Sequence, residues 1–406
     1  MPAYLGIIRN RLYYRIRKTN SVSVAFIVSE LAQWRYQSLY DLLVSDNRFK
    51  LSILLVPFVS YSEKDKEDSL HRLRSYFKDK GIHYFDFKSY EATYSFLKTD
   101  IDPDLIFYPQ PYDNCYATCL DSKVFEKKLI CYFPYGMPTI REEWTFNLRF
   151  HNIAWRIYYQ TSANWENFLT YSYIRGRNVR VVGDPIADQF FSGNNPDVWK
   201  RQDKKKKRVI WAPHYSITDN RSGMLSRNSF EWLSEAMLQI AHEYQETVQF
   251  SFKPHPRLLS ELYHAKEWGV KRADDYYALW DQMPNTQLDT GDYVGLFLHS
   301  DALIHDSASF TAEYQFTGKP ALFISDNIKK QESQLTTFGR LALACHYQGD
   351  SIDAIRSFID KVVIGDEDSL ADRRKDFRDN YLLPPGGLSA AKNVYDDILS
   401  SLGLKG

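Results

Sequence analysis

The chain has 406 residues, 44% of them hydrophobic and 25% charged, the composition of a globular protein too long for one ordinary core. Lys plus Arg and Asp plus Glu both number 51, so no global field draws in nucleic acid, and any anion site must be local. Nucleic acid is therefore not an expected partner.

Residues 5–20, LGIIRNRLYYRIRKTN, set Leu5, Ile7, Ile8, Leu12, Tyr13 and Tyr14 among Arg9, Arg11, Arg15, Arg17 and Lys18. This basic amphipathic stretch, taken as an N-terminal arm over 1–20, suits an anionic membrane surface. A helix packed on its own domain accounts for it equally well. No stretch approaches the ~20 apolar residues of a membrane span and no signal peptide is evident. The expected location is the cytoplasm, peripheral on the inner face of the cell membrane.

The next segments read as a strand at 22–28, a helix, a strand at 50–60, and a helix that Gly81 ends. Short β-like runs follow in HYFDF, PDLIFYPQP, KLICYFPYG and RNVRVVGDPIADQF. Strands alternating with helices imply a doubly wound parallel sheet. The lysine run at 204–208 suggests a linker, which divides the chain into lobes at 21–200 and 201–406. The second half repeats the alternation, with strands in RVIWAP, VQFSFKPHP, DALIHD and KPALFIS. Its last helix, LSAAKNVYDDILSSL, either caps this lobe or crosses back to the first. The expected fold is α/β, with two Rossmann-like lobes and a cleft between them. Cys115, Cys119, Cys131 and Cys345 show no zinc-ligand pattern and read as reduced thiols.

Polar residues gather at three strand ends of the second lobe. IWAPHYSI carries His214. FSFKPHPRLL crowds Lys253, His255 and Arg257 between prolines, which stiffen an extended segment. ALIHDSASFTAEYQF sets Asp306, Ser307 and Ser309 where a helix should begin, with Glu313 about two turns in. Helix N-termini receive phosphate, although Asp306 or Ser307 serves equally as a plain N-cap, and Glu313 as a solvated carboxylate. In the first lobe, Asp184 lies in a Gly-Asp-Pro turn, and Tyr135 and Gly136 lie at another strand end. The fingerprints GxGxxG, GxSxG and HExxH and the P-loop are absent, which removes several common enzyme classes. Converging at one sheet edge, the second-lobe groups would make a nucleotide-diphosphate pocket.

In this order, IWAPHYSI, FKPHPRL and ALIHDSASFTAEYQFTGKPALFI resemble the CDP-glycerol glycerophosphotransferase family, which includes teichoic acid primases and polymerases and related capsule enzymes. VVGDPIADQF resembles that family's Gly-Asn-Pro-Arg-Asn-Asp element. The resemblance covers residues 131–325. It implies a glycosyltransferase-B-like fold and transfer of an alditol phosphate from a CDP donor. It also implies that His255 and Arg257 hold the donor pyrophosphate, with Ser309 and the helix amides beyond Asp306 on its other side. Glu313 then falls near a ribose or glycerol hydroxyl. Two positions depart from the pattern. Tyr135-Gly136-Met137-Pro138 stands where the family often has His-Gly-x-Pro, and Ala308 replaces the first of two paired serines.

The expected chemistry is attack of an acceptor hydroxyl on the distal phosphorus of a CDP-alditol, with CMP leaving. The acceptor is a glycan or a lipid-linked hydroxyl. Positioning and charge stabilisation dominate such transfers. Asp184, His151, Glu142 and Tyr135 are the candidate bases. His214, Lys253, Asp306, Ser307, Ser309 and Glu313 are the candidate donor-binding residues. No cofactor is required, and Mg²⁺ is compatible. The competing readings are a CMP-sugar transferase of the sialic acid or Kdo type, a UDP-sugar transferase or epimerase, and a catalytically silent nucleotide-binding scaffold.

Overall fold

The computed structural model describes residues 3–140, 146–193, 195–217, 229–291 and 293–404. The chain divides into two compact units. The first comprises 1–137, 142–188 and 382–406, and the second comprises 138–141 and 189–381.

Strands β1 (Val22–Val28), β2 (Phe49–Leu55), β3 (Phe85–Asp86), β4 (Leu105–Tyr108), β5 (Leu129–Tyr132), β6 (Arg156–Tyr159) and β7 (Val179–Val181) form the first sheet. Their order is β3-β2-β1-β4-β5-β6-β7, and every pairing is parallel. Parallel strands need crossover helices, and helices on both faces require both faces to be apolar. β1 meets that demand by alternation. Val22, Val24, Phe26 and Val28 enter one buried cluster, while Ala25 and Ile27 enter the other.

The second unit repeats the scheme with β8 (Lys207–Ala212), β9 (Val248–Phe252), β10 (Thr286–Leu288), β11 (Ala302–His305), β12 (Ala321–Ile324) and β13 (Tyr347–Gly349). The order is β10-β9-β8-β11-β12-β13, again all parallel. Strand order reverses between β8 and β11, and ligands in open α/β sheets bind beyond the carboxyl ends at such a switch point. Beneath it Trp211 is fully buried, its ring 5.0 Å from Phe252 and 5.4 Å from Trp280. This aromatic packing makes the ends of β8 and β9 stiff.

One boundary differs from the sequence expectation, and two alternatives left open by the sequence are resolved. The division falls at Asp188, before the lysine run. Lys206 donates to the Gln245 carbonyl and Lys207 pairs with Asp366, so the run is tied into the second unit. The helix Ala390–Leu402 belongs to the first unit, where Asp188 accepts from the amides of Ala390 and Ala391. The N-terminal stretch is also part of that unit, not a detached arm. Within the helix Ala3–Thr19, Ile16 is buried, Arg9 donates to the Ile153 carbonyl, and the Tyr13 hydroxyl accepts from the Trp155 indole. Among the described residues no helix is long and apolar enough to cross a membrane.

The Gly-Asp-Pro turn has a backbone reason. Gly183 sits at φ +93°, and a Cβ there would lie 2.5 Å from the Pro384 Cβ. Gly183→Ala is therefore expected to destabilise the first unit by more than about 1 kcal/mol, through both strain and overlap. Thermal unfolding of the variant checks this, and an unchanged midpoint contradicts it.

Candidate functional site

The Lys-Pro-His-Pro-Arg segment continues β9 beyond the sheet. The Lys253 amide donates to the Trp211 carbonyl at 2.8 Å, and the His255 amide to the Pro213 carbonyl at 3.1 Å. Pro254 and Pro256 occupy the alternate positions, whose N–H groups this ladder does not use. The prolines thus stiffen the segment without costing it a hydrogen bond. The His255 carbonyl then accepts from the Leu258 amide, and the helix Leu258–His264 begins.

Two imidazoles meet at these strand ends, their ring centres 5.4 Å apart. His255 Nδ1 accepts from the Arg257 amide at 3.1 Å. His214 Nδ1 accepts from the Ser216 amide at 3.3 Å and lies 3.0 Å from Ser216 Oγ. With Nδ1 used as the acceptor, Nε2 carries the ring proton, so each imidazole presents an N–H. Burial, with Arg257 adding to it, pushes His255 down to about 4. His255 is therefore a neutral donor near pH 7, and Arg257 supplies the positive charge. The Arg257 guanidinium lies 4.4 Å from the centre of the Tyr215 ring and pairs with Glu261 at 2.7 Å. Its side chain is 51% exposed, so it can reach an arriving anion. A bidentate guanidinium beside two N–H donors is suited to phosphate oxygens.

The other second-unit residues have different surroundings. The Lys253 ammonium is buried, paired with Asp289 at 3.1 Å and donating to the Gly291 carbonyl. It ties the ends of β9 and β10 together. Asp306 is buried and positions its neighbours. One oxygen accepts from the His214 amide at 2.6 Å, and the other accepts from the amide and hydroxyl of Ser229. Ser307 stands at the N-cap of the helix Ala308–Glu313, but its hydroxyl does not cap it. Its amide donates instead to His305 Nδ1. Ser309 is exposed in the first turn. Glu313 is buried rather than solvated. Among the described residues, no three His, Cys, Asp or Glu side chains gather as metal ligands.

The base candidates of the first unit separate by burial. Asp184 is fully buried, accepts from the Ile186 amide at 2.9 Å and pairs with Arg35 at 3.3 Å. It starts the helix Pro185–Phe191 and does not face solvent as a base would. His151 is enclosed by Tyr132, Phe150 and Phe168, and burial pushes it down to about 3. Glu142 lies outside the described residues. Tyr135 is 41% exposed, on a turn fixed by Gln160, whose Nε2 donates to the carbonyls of Pro134 and Gly136. Gly136 has open space around it and no positive φ, so the local backbone does not demand a glycine.

Sequence reasoning overlooked Tyr215, Ser229, Glu261, Asp289 and Gln160. Glu261 was legible, because it lies four residues after Arg257 on a helix. Tyr215 adjoins a singled-out histidine, but only the fold brings Arg257 over its ring.

No protein-family model matches this chain, and no curated protein matches it. Solved structures do share its fold. A variant of the wall teichoic acid polymerase TagF is 13% identical at a TM-score of 0.62, covering 99% of this chain and 98% of that one. A putative UDP-N-acetylglucosamine 2-epimerase from Listeria monocytogenes is 14% identical at a TM-score of 0.62, covering 95% and 98%. The UDP-GlcNAc 2-epimerase from Neisseria meningitidis, bound to UDP-GlcNAc, is 14% identical at a TM-score of 0.55, covering 93% and 99%. At such identities the likeness establishes the two-sheet, glycosyltransferase-B-like fold.

Proposed function

We propose that the chain is a CDP-alditol phosphotransferase. It moves an alditol phosphate, glycerol phosphate first among the candidates, to a hydroxyl of a cell-surface glycan or lipid-linked acceptor. The acceptor oxygen forms the new bond to the distal phosphorus, the bond from that phosphorus to CMP breaks, and the hydroxyl proton passes to solvent or a base. The observation that carries this reading is the grouping of His214, His255 and Arg257 at adjacent strand ends beside a switch point. These residues come from the segments that resemble the glycerophosphotransferase family. The fold likeness to TagF supports the reading, and one TagF structure carrying that likeness was soaked with CDPG.

In this reading Arg257 neutralises the charge on the leaving phosphate and the imidazoles donate to its oxygens, so no resident cofactor is required. Magnesium brought by the donor is compatible with it. The reading also places the chain peripherally on the inner face of the cell membrane. Arg11, Tyr14 and Lys18 are exposed on the N-terminal helix, a basic face suited to anionic lipid.

A second reading is a UDP-sugar epimerase, which the epimerase likenesses favour. Thermal shifts with CDP-glycerol, CDP-ribitol, CMP-sialic acid, CMP-Kdo and UDP-GlcNAc separate these readings. A ligand at ~100 times its Kd stabilises the native state by about 2.7 kcal/mol. The expected result is a shift confined to CDP-alditols. A shift with UDP-GlcNAc or with CMP-sugars alone overturns the donor assignment. Binding of CDP-alditols without turnover on any acceptor makes the chain a nucleotide-binding scaffold.

A further inference from the structure

Arg257 has a long, half-exposed side chain on the first turn after a strand. Its Glu261 partner, four residues on, is itself a surface carboxylate. An exposed i,i+4 pair does little to hold a guanidinium in one place. His255 and His214 come from two different loops, and each ring takes the hydrogen bond at its Nδ1 from its own loop, so these bonds do not tie one ring to the other. One side chain touches all three groups. The Tyr215 ring centre lies 4.3 Å from that of His214 and 4.4 Å from that of His255, and the Arg257 guanidinium carbon lies 4.4 Å from it.

Tyr215 is itself well anchored. It packs against the core cluster that contains Trp211, Phe230 and Phe252. The loop carrying it is pinned on both sides. Before it, the His214 amide donates to Asp306; after it, the Ile217 amide donates to the Tyr215 carbonyl at 2.9 Å, and Ile217 is buried. An aromatic face attracts a guanidinium through its quadrupole, and that attraction grows as the pair loses water. Flat rings in contact also restrict one another's rotation.

We infer that Tyr215 is the positioning residue of this anion site, its ring holding Arg257 and the imidazoles of His214 and His255 in one arrangement. The inference rests on the anion-site reading above and adds a residue to it. The ring does this work and the hydroxyl does not, so phenylalanine substitutes for tyrosine while an aliphatic side chain fails.

The experiment compares Tyr215→Phe and Tyr215→Leu with the unaltered full chain. Calorimetry measures the Kd for inorganic pyrophosphate and for CDP, and nitrogen-15 NMR follows the tautomer and titration of the two histidines. Tyr215→Phe is expected to bind within about twofold of the unaltered protein. Tyr215→Leu is expected to bind pyrophosphate about tenfold more weakly, between the exposed and the desolvated limits of a cation–π contact. In Tyr215→Leu the His255 titration also moves up toward the ordinary imidazole range, because the ring that shields it is gone. A purely structural role would lower the melting temperature without that spectroscopic change.

Unchanged pyrophosphate binding in Tyr215→Leu overturns the inference, as does a Tyr215→Phe variant as weak as Tyr215→Leu. His255→Ala and Arg257→Ala are measured beside them. If those two lose binding while Tyr215→Leu keeps it, the inference alone fails. If none of the variants changes binding, the anion-site reading fails with it. Should Tyr215→Leu not fold, Tyr215→Met is scored in its place by the same criteria.

Discussion

If the chain acts as proposed, replacing Arg257 by alanine is expected to lower kcat/KM for a CDP-alditol by about 10²–10³-fold and to leave thermal unfolding nearly unchanged. The size follows from removing one charge-assisted donor aimed at developing charge. The unchanged fold follows from the guanidinium's surroundings. Its ion pair with Glu261 is half-exposed, and such pairs contribute little to stability. The hydrogen bond to His255 Nδ1 comes from the Arg257 amide, which alanine keeps. Arg257→Lys recovers only part of the loss, because a lysine is a point charge that cannot bind bidentately. His255→Ala removes the neutral Nε2–H donor and gives a loss of the same order. CMP release under initial-rate conditions measures both. Near-normal rates in both variants remove the leaving-group site.

The second large effect is acid lability of the second unit. His305 and His346 are buried there, their ring centres 5.1 Å apart. Burial, with the His346 charge adding to it, holds His305 well below the ordinary imidazole range, and burial pushes His346 down to about 4. The direction follows from proton counting. Below pH ~6.5 the unfolded chain protonates both rings while the folded unit resists, so unfolding takes up protons and stability falls as pH falls. Each ring costs about 1.4 kcal/mol per pH unit in that window. From pH 7 to 5 these two together cost roughly 4 kcal/mol, a large part of a domain's stability. Among the described residues the first unit carries one such group, His151, against three in the second, where His255 is pushed down as well, so its loss is about a third as steep. Hydrogen exchange at pH 7 and pH 5, corrected for intrinsic rates, resolves the two units separately. Equal protection of the second unit at both values contradicts this.

The alternation of apolar runs with helical patterns was enough to read two parallel α/β units. Local spacing also located the strand ends that carry His214, His255 and Asp306. What stayed illegible is how polar residues at those ends are used. Asp184, Lys253 and Asp306 read as chemistry from composition, yet each is engaged by a partner distant in sequence. Arg35 takes Asp184, Asp289 takes Lys253, and Ser229 with the His214 backbone takes Asp306. A buried carboxylate must find donors, but a single sequence does not say which. The unit boundary was missed for a related reason. Asp188 holds the start of the helix Ala390–Leu402 across about two hundred residues, a pairing no local pattern records. The lysine run looked like a linker because its tethers, the Gln245 carbonyl and Asp366, lie far along the chain. Glu313 shows the converse. Its helical position allows either solvent or a sugar hydroxyl as its surroundings, and tertiary packing buries it.

The proposed activity of this chain is transfer of an alditol phosphate from a CDP donor. The most direct measurement is phosphorus NMR and mass spectrometry of the products formed from CDP-glycerol and a membrane acceptor fraction. The expected products are CMP and a new phosphodiester on the acceptor, with both formed at least about 10²-fold more slowly by Arg257→Ala. Intact CDP-glycerol beside an isomerised UDP-sugar in the parallel reaction would contradict it.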